Sequence, residues 1–390
     1  MRVIRIVSQL LEGLEGKIHR TRLLGVLAAV VAIVQARRVS AAAIGRALAT
    51  QTHDKHGIKR IDRMLGNASL QRQWPEFFRG MAAWVLQEVQ QPVVLVDWTH
   101  VTGRFRALYA AVAFEGRALT VYEEVHHERY LGNTFVQNRF LKRLQALLPE
   151  GCKPLIVSDA GFHGAFFRQV KALGWHFLGR IRGTAKARRE DGVSYSKAQL
   201  YRRAKRQAKS LGVLNLYTSR QSVSARLVLV HRPRKAKRAA TACCGKDERE
   251  YRARARDPWL LATSLLTPSA DAIVALYEKR MQIEQVFRDA KNHRFGWCLR
   301  HVRSKDKGRL TVLLMLAALA TLAVILLGIA VHVQGYARRF QANTLSRRVL
   351  SFFSLGNACL SHPRKRPKFR LAEVRSYLRQ AISAGLAGAS

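Results

Sequence analysis

One short segment, Tyr277 to Lys291 (YEKRMQIEQVFRDAK), combines side chains that could act together on a phosphate or a metal ion. Its Tyr277, Arg280, Glu284 and Lys291 follow the spacing Tyr-x2-Arg-x3-Glu-x6-Lys. On one continuous helix these four residues would fall within an arc of roughly 60°. Glu284 on such a face could hold a divalent metal ion, with the cations beside it binding phosphates. The competing interpretation is a solvated, salt-bridged helix face, the usual origin of mixed charges on a helix.

Two aspartates elsewhere in the chain strengthen the metal interpretation. Asp97 follows the apolar run 93–96, and Asp159 follows the apolar run 155–157 and Ser158. We expect each aspartate to end a buried strand of an α/β sheet, with the Glu284 helix beside that sheet. The alternative is that each aspartate is an ordinary turn residue at a strand end.

Three clustered carboxylates repel one another unless they share cations, and their hard oxygen atoms suit Mg²⁺ or Mn²⁺. Two such ions would activate a water or a 3′-hydroxyl. They would also stabilise the leaving oxygen during in-line attack on phosphorus. The three acids therefore predict two-metal phosphoryl transfer. No P-loop motif accompanies them in the sequence, so no requirement for ATP is indicated.

The overall charge indicates what kind of partner the protein has. The 390 residues include 68 Lys and Arg against 25 Asp and Glu, a formal net charge of +43 that is spread along the chain. Nucleic-acid phosphate is the best counterpart for such a charge, and an anionic membrane surface is the weaker alternative. The five cysteines show no metal-binding spacing, which predicts free thiols in a reducing cytosol.

Residues 1–90 have a helical pattern, with predicted helices at about 22–36, 40–49, 55–66 and 75–90. We expect Ser40 to cap a helix and 66–67 to end one. The basic segment HDKHGIKRIDRMLGN resembles a helix-turn-helix DNA reader, although a helical bundle with a solvated basic face explains it equally well.

From Pro92 the pattern is that of an α/β domain, residues 91–333. It predicts a hairpin at Glu115-Gly116, helices at about 133–148 and 163–173, and strands at 175–181 and from Trp259. Residues of about 183–256 are very basic and predict a β-rich insertion with disordered loops. Thr267 and Pro268 are the predicted start of the helix that carries Glu284. Residues 334–390 form a basic, partly helical C-terminal region.

The segment Leu310–Val333 contains no acid, Lys or Arg and is long enough to span a bilayer. Its Ala, Gly and Thr content suits a buried helix of a large core equally well, and the rest of the chain favours the buried helix. The apolar run 23–36 lacks a clear cleavage site, so it is not expected to be a signal peptide.

Several motifs together carry a family resemblance. IKRIDRMLGN, VVLVDWTHV, PLIVSDAGF, WHFLGRIRG, PWLLATSL and YEKRMQIEQVFRDAKNHRFG occur in this order over about residues 50–300. With them the chain resembles bacterial DDE transposases of the insertion-sequence-four family and, within it, the transposon-ten transposases.

The resemblance implies a ribonuclease-H-like catalytic core with a β-rich insertion, flanked by helical N- and C-terminal regions. It implies that Asp97, Asp159 and Glu284 are the catalytic residues that bind two Mg²⁺ or Mn²⁺ ions. It also implies DNA contacts, and the residues expected to make them are Tyr277, Arg280, Lys291, Trp259, Lys59, Arg60 and Arg63.

The partners that the resemblance implies are double-stranded DNA with the inverted repeats of transposon ends, target DNA, and a second copy of the chain on paired ends. Trp259 corresponds to the Trp that hairpin-forming relatives use to receive a flipped base, and an interior packing role is the alternative for it. The expected location is the bacterial cytoplasm at the nucleoid, without a membrane.

Three other functions remain open on the sequence. A two-metal nuclease or resolvase would cleave DNA without joining ends. A non-catalytic DNA-binding protein would not need the three acids, and a basic membrane protein would use 310–333 as its span.

Overall fold

A computed structural model gives the structure of the protein. It describes residues 2–182, 186–217, 222–232, 257–292, 296–299, 302, 304–342, 344–362 and 368–387. Helices and strands are both abundant, so the chain is a mixed α/β protein, as the sequence pattern predicts. It divides into two compact units. The first unit consists of Met1–Leu131, Lys142–Cys152 and Met281–Gly385, and the second of Gly132–Leu141, Lys153–Arg280 and Leu386–Ser390.

The first unit begins with five helices, as the helical pattern of residues 1–90 predicts, although the first of them was not among the individual helices expected. Ser40 Oγ accepts a hydrogen bond from Ala43 N, which caps the third helix as expected. The helices are α1 (Arg2–Leu11), α2 (Arg20–Ala36), α3 (Ala41–Arg46), α4 (Asp54–Leu65) and α5 (Ala68–Leu86).

Helices α3 and α4 approach each other through glycine. A Cβ atom added to Gly45 would lie 2.5 Å from the backbone of Ile58. Seven residues connect the two helices, and α4 carries most of the basic segment that resembled a DNA reader.

Three long antiparallel strands follow, in the order β3-β2-β1: β1 (Val93–Thr102), β2 (Phe105–Phe114) and β3 (Arg117–His127). The predicted hairpin between β2 and β3 is confirmed, since Glu115 and Gly116 both have positive φ angles, as a tight two-residue hairpin turn requires. The expectation that Asp97 ends its strand is wrong. The continuous run of buried apolar residues stops at Val96, but backbone pairing continues to Thr102 because β2 extends alongside it.

The second unit contains a sheet in which β4 and β5 are parallel and the other pairings are antiparallel. Helix α6 (Thr134–Leu147) divides between the two units. The other elements, in chain order, are β4 (Leu155–Ser158), α7 (Gly164–Ala172), β5 (His176–Arg180), β6 (Lys186–Arg188), β7 (Ser194–Ser196), α8 (Lys197–Arg202), β8 (Lys209–Leu216), β9 (Val223–Val230), β10 (Trp259–Thr263) and α9 (Ala270–Glu278). The strand order is β4-β5-β10-β9-β8-β6-β7.

The predicted insertion does have β character, since β6 to β9 lie within it. A short helix that was not predicted, α8, also lies within the insertion, and Ser196 and Gln199 form a capping box at its start. The basic runs within 233–256 lie outside the described residues, as do residues 183–185 and 218–221.

The segment with the Tyr-Arg-Glu-Lys spacing is not one helix, which corrects the expectation of a single continuous face. Helix α9 begins after Ser269, whose side chain accepts from Ala272 N, and not at Thr267 or Pro268. It ends at Glu278, where the N–H groups of Lys279 and Arg280 bond to carbonyls three residues back. This tighter turn interrupts the regular ladder of helix hydrogen bonds, and a new helix, α10 (Met281–Lys291), follows.

The first unit closes with α11 (Lys307–Val333), α12 (Phe352–Ser361) and α13 (Leu371–Ala387). Among the described residues, α11 is the one helix long and apolar enough to cross a membrane, but 94% of its most apolar window is buried inside the protein. It packs against α2, α5, α12 and β3. A Cβ atom added to Gly356 would lie 2.0 Å from the carbonyl oxygen of Val324, so α12 lies directly against α11. This is the buried core helix that the rest of the chain favoured.

Three of the cysteines are free and buried, as expected from their spacing: Cys152, Cys298 and Cys359. Cys243 and Cys244 lie outside the described residues.

Candidate active site and DNA contacts

Helix α10, which carries Glu284, packs on the three-stranded sheet that carries Asp97. Two polar contacts fix it there. The side-chain oxygen of Gln282 accepts from Phe114 N at 2.9 Å, and Asp289 Oδ2 accepts from Arg117 Nε at 2.7 Å. Both partners belong to the β2–β3 hairpin, so this hairpin sets the position of the Glu284 helix.

Lys291, at the end of α10, contacts the strand of Asp97. Its Nζ donates to Thr99 Oγ1 at 2.7 Å, two residues after Asp97. Asp97 Oδ1 in turn accepts from Trp98 N at 2.8 Å, which orients the carboxylate. Glu284 and Asp97 are both half-buried. The first unit therefore brings Lys291 to the strand of Asp97 and places Glu284 on a helix packed against the same sheet.

The second unit holds the other predicted acid, Asp159, directly after β4, as the sequence predicts. Its Oδ1 accepts from Gly161 N at 2.7 Å, so a backbone donor orients this carboxylate as it does Asp97. Helix α9 of the same unit carries Tyr277, which is 5% exposed. Burial raises the pKa of Tyr277, and the charge of Asp159 acts in the same direction.

Arg280, Arg180 and Arg182 oppose that effect, since their charges lower the pKa of Tyr277. The second unit thus places three guanidinium groups around the Tyr277 phenol. Arg180 is buried enough for its own pKa to be lowered, and nearby Arg182 adds to this. Such a concentration of cations is suited to binding phosphate.

Trp259, at the start of β10, belongs to the same cluster. Its ring lies edge-on to that of Tyr277, with 5.2 Å between the ring centres, and the Arg180 guanidinium lies 5.9 Å from the indole centre. Arg180 also donates to the carbonyl oxygens of Asp257 and Pro258 at 3.1 and 3.3 Å. Trp259 is 5% exposed, so a base could stack on it only after its neighbours move.

The three carboxylates do not all belong to one unit, because Asp97 and Glu284 lie in the first unit and Asp159 in the second. Over the ranges that the structure describes, no group of three or more His, Cys, Asp or Glu side chains is arranged to hold a metal ion. The chemistry of the donors nevertheless fits Mg²⁺ or Mn²⁺, since all three are carboxylates and a backbone N–H orients each of the two aspartates.

The three cations predicted near the N-terminus, Lys59, Arg60 and Arg63, are exposed on helix α4. Arg63 Nε donates to the carbonyl oxygen of Lys59 at 3.4 Å. These side chains therefore form a basic surface on one short helix.

Arg180 and Arg182 were not among the predicted site residues, although both lie in the motif WHFLGRIRG. The alternation of two arginines at the end of a buried strand was the available signal. Tyr109 and Glu123 were not predicted either; they are a buried phenol and a buried carboxyl that lie opposite each other in the sheet under α10. An acid in an apolar strand of so basic a chain was the signal for Glu123.

Glu123 is 3% exposed, and burial raises its pKa to about 8. Its carboxyl is therefore mostly neutral at pH 7. In register, Tyr109 of β2 lies opposite Asp97 of β1 on one side and opposite Glu123 of β3 on the other. These three side chains form a row across the sheet, on one face of it.

The opposite face carries a second buried acid, Glu124. It accepts hydrogen bonds from Tyr122 at 2.6 Å and Arg143 at 3.1 Å, and His126 lies 2.9 Å away. Burial alone would raise the pKa of Glu124, but these partners outweigh burial and lower the pKa to about 2. The ring of Trp98 packs edge-on against His126 on this face.

Comparison with known proteins identifies the family of the chain. A family model described as a transposase DDE domain matches residues 88–323, more than half of the chain. The match includes the three acids and the cluster around Tyr277. No curated protein shows significant similarity to the chain. The extent of the family match shows that the chain belongs to the transposases with a DDE domain.

Proposed function

We propose that the protein is a cut-and-paste DNA transposase. It binds transposon ends, cleaves them by two-metal phosphoryl transfer through a hairpin intermediate, and joins them to target DNA. The carrying observation is the match to the transposase DDE domain over the segment that contains Asp97, Asp159 and Glu284. A transposase acts on DNA, and the charge of +43 is the electrostatic counterpart of that substrate.

The proposed roles follow from the placement of the residues. Asp97, Asp159 and Glu284 would hold two Mg²⁺ or Mn²⁺ ions, which supply an activated oxygen nucleophile and neutralise charge at the leaving oxygen. The backbone N–H groups that orient the two aspartates reduce the freedom these side chains lose when they bind a cation.

The cluster around Tyr277 is proposed to bind the DNA backbone next to the reacting phosphate. Arg280 contributes a planar fork of donors to this cluster. Lys291 of the first unit is proposed to contribute a separate point charge beside the strand of Asp97. Trp259 is proposed to receive a base unstacked during hairpin formation. Stacking on an indole is worth about 1–3 kcal/mol per base, comparable with the few kcal/mol that unstacking costs.

The regions outside these residues also have proposed roles. Residues 1–90, with Lys59, Arg60 and Arg63 on α4, bind the DNA end. Residues 91–333 form a ribonuclease-H-like catalytic domain with the insertion of about 183–256. Residues 334–390 make protein or DNA contacts. Two copies act together on paired ends in the bacterial cytoplasm, at the nucleoid.

The test uses linear DNA taken from both flanks of the coding region, incubated with the protein, Mg²⁺ and a supercoiled target plasmid. The proposal predicts cleavage at an inverted repeat, a hairpin product and covalent joining of the released end to the plasmid. Cleavage without joined product would instead identify a nuclease or resolvase. Binding without cleavage in either Mg²⁺ or Mn²⁺ would identify a non-catalytic DNA-binding protein.

A further inference from the structure

The row across the first unit's sheet links a proposed metal-binding acid to a buried pair that has no assigned role. Asp97, Tyr109 and Glu123 are cross-strand neighbours in β1, β2 and β3. Adjacent strands lie about 4.8 Å apart, so Glu123 is about 10 Å of backbone spacing from Asp97. At this spacing Glu123 and Asp97 are too far apart to bind the same metal ion, and Tyr109 lies between them.

Tyr109 also contacts the helix of Glu284. Its ring meets that of Phe287 edge-on, with 5.1 Å between the ring centres. Phe287 lies three residues after Glu284, on the next turn of α10. One buried phenol, 7% exposed, thus lies beside Asp97 in the sheet and supports the helix that carries Glu284.

Glu123 holds the far side of that phenol. The two residues lie directly opposite each other in register, and both are buried. A lone buried hydroxyl would cost free energy, and an unsupported ring could change its rotamer. The opposite carboxyl offers the hydroxyl a polar partner, and the Phe287 ring packs against the phenol, so Tyr109 keeps one orientation under α10.

We propose that Tyr109 and Glu123 are positioning residues, which hold Asp97 and Glu284 in the mutual geometry that binds a divalent cation. This inference rests on the proposed function, because it assumes that those two acids are metal ligands. Neither Tyr109 nor Glu123 touches the ion or the DNA. Partners of this kind typically change metal affinity by 10–100-fold when they are removed.

The other face of the same sheet supplies a matched control. Tyr122 donates to Glu124 at 2.6 Å, so it is also a buried phenol paired with a buried carboxyl. Its ring packs against Trp74 and Phe78 of α5, not against α10. Tyr109→Phe and Tyr122→Phe remove the same hydroxyl from the same sheet, but only the first lies under the Glu284 helix.

The experiment measures Mn²⁺ binding by calorimetry on the full chain, without DNA, and separately the Mg²⁺ concentration that half-saturates end cleavage. Tyr109→Phe is expected to weaken Mn²⁺ binding and to raise the half-saturating Mg²⁺ concentration, each by about tenfold. Tyr122→Phe is expected to change either value by less than about twofold. Glu123→Gln keeps an acceptor for the phenol and is expected to retain nearly normal Mn²⁺ affinity. Glu123→Leu removes the acceptor and is expected to weaken Mn²⁺ binding as much as Tyr109→Phe does.

Thermal unfolding of each variant separates positioning from stability. Equal loss of Mn²⁺ affinity in Tyr109→Phe and Tyr122→Phe, or no loss in Tyr109→Phe and Glu123→Leu, would overturn the inference. Glu284→Gln is the reference. If it binds Mn²⁺ as the wild type does, the proposed metal site itself fails. If it loses Mn²⁺ while the Tyr109 and Glu123 variants keep it, only the positioning role fails.

Discussion

Glu123 and Glu124 are consecutive residues of strand β3, yet they lie on opposite faces of the sheet and their pKa values are shifted in opposite directions. Glu123 lies opposite the Tyr109 phenol, on the face of the sheet under helix α10, and burial dominates the shift of its pKa. Glu124 has three partners, two of them able to carry positive charge, and these outweigh burial. Alternation along a strand therefore separates a neutral acid from an ionised one within a single residue step.

The pH dependence of stability should reveal this difference. The pKa of Glu123 is about 8 in the folded protein, against 4.5 as its ordinary value. Between pH 4.5 and 8 the folded state binds more protons than the unfolded state. The stabilising contribution of Glu123 to the free energy of unfolding therefore falls as pH rises, by at most about 1.4 kcal/mol per pH unit. In urea unfolding between pH 5 and 8, the free energy of unfolding of Glu123→Gln should lack this decline. The stability of this variant relative to wild type should therefore increase as pH rises.

Glu124→Gln is the opposite case. The folded pKa of Glu124 is about 2, below its ordinary 4.5, so its stabilising contribution is present above pH 4.5 and is lost as pH falls toward 2. This variant should be less stable than wild type at pH 7, and the difference should shrink in acid. Parallel pH profiles for the two variants would contradict the assignment of a neutral and an ionised acid.

The contact between Lys291 and Thr99 predicts a specific effect on catalysis. Lys291→Met keeps the aliphatic stem but removes the charge beside the strand of Asp97. We expect end cleavage to slow by at least tenfold, with thermal stability changed little. Arg288→Met, which removes an exposed cation from the same helix, is the control. Equal cleavage rates in the two variants, measured in single-turnover assays, would make Lys291 an ordinary surface charge.

Trp259 and Tyr277 contact each other, so replacing the tryptophan should separate the steps of the reaction. Trp259→Ala is expected to leave first-strand nicking intact but to reduce hairpin formation or its resolution, because it removes a stacking surface worth about 1–3 kcal/mol. A fluorescent base near the end should lose its unstacking signal. Trp259→Phe keeps an aromatic face and should recover part of the hairpin step. If nicking and hairpin formation slow equally in both variants, Trp259 is a packing residue.

The basic surface of α4 predicts how end binding depends on salt. Affinity for arbitrary duplex should fall steeply with salt, because bound phosphates release counterions. Replacing the exposed Lys59, Arg60 and Arg63 with Ala should lower the slope of log affinity against log salt by up to about 3 for end DNA. A slope unchanged from wild type would show that α4 does not contact the end. A nearly flat wild-type plot would exclude a phosphate-tracking surface altogether.

The sequence predicted the course of the chain well where local signals are strong. The cap at Ser40 and the hairpin at Glu115-Gly116 follow from residue type and position, whereas the composition of 310–333 suits a membrane span equally well and only the rest of the chain favours its burial. The break between α9 and α10 had no such signal. Lys279 and Arg280 are good helix formers, and tertiary packing on each side of them decides that the helix stops there.

The site was predictable only in part for a similar reason. Strand-end apolar runs pointed to Asp97 and Asp159, but the pairing of β1 beyond Asp97 depends on the length of β2, which lies elsewhere in the chain. Tyr109 and Glu123 could not be predicted as neighbours of Asp97 from the sequence, because cross-strand neighbours are known only once the register of the strands is known.

The central claim is that Asp97, Asp159 and Glu284 are the residues that carry out metal-dependent cleavage. The most direct measurement compares end cleavage and end binding for Asp97→Ala, Asp159→Ala and Glu284→Ala in Mg²⁺ and in Mn²⁺. The account predicts that each variant loses cleavage in both metals while its affinity for the end stays within about twofold of wild type. Full cleavage by any one of the three would remove that residue from the mechanism and contradict the account.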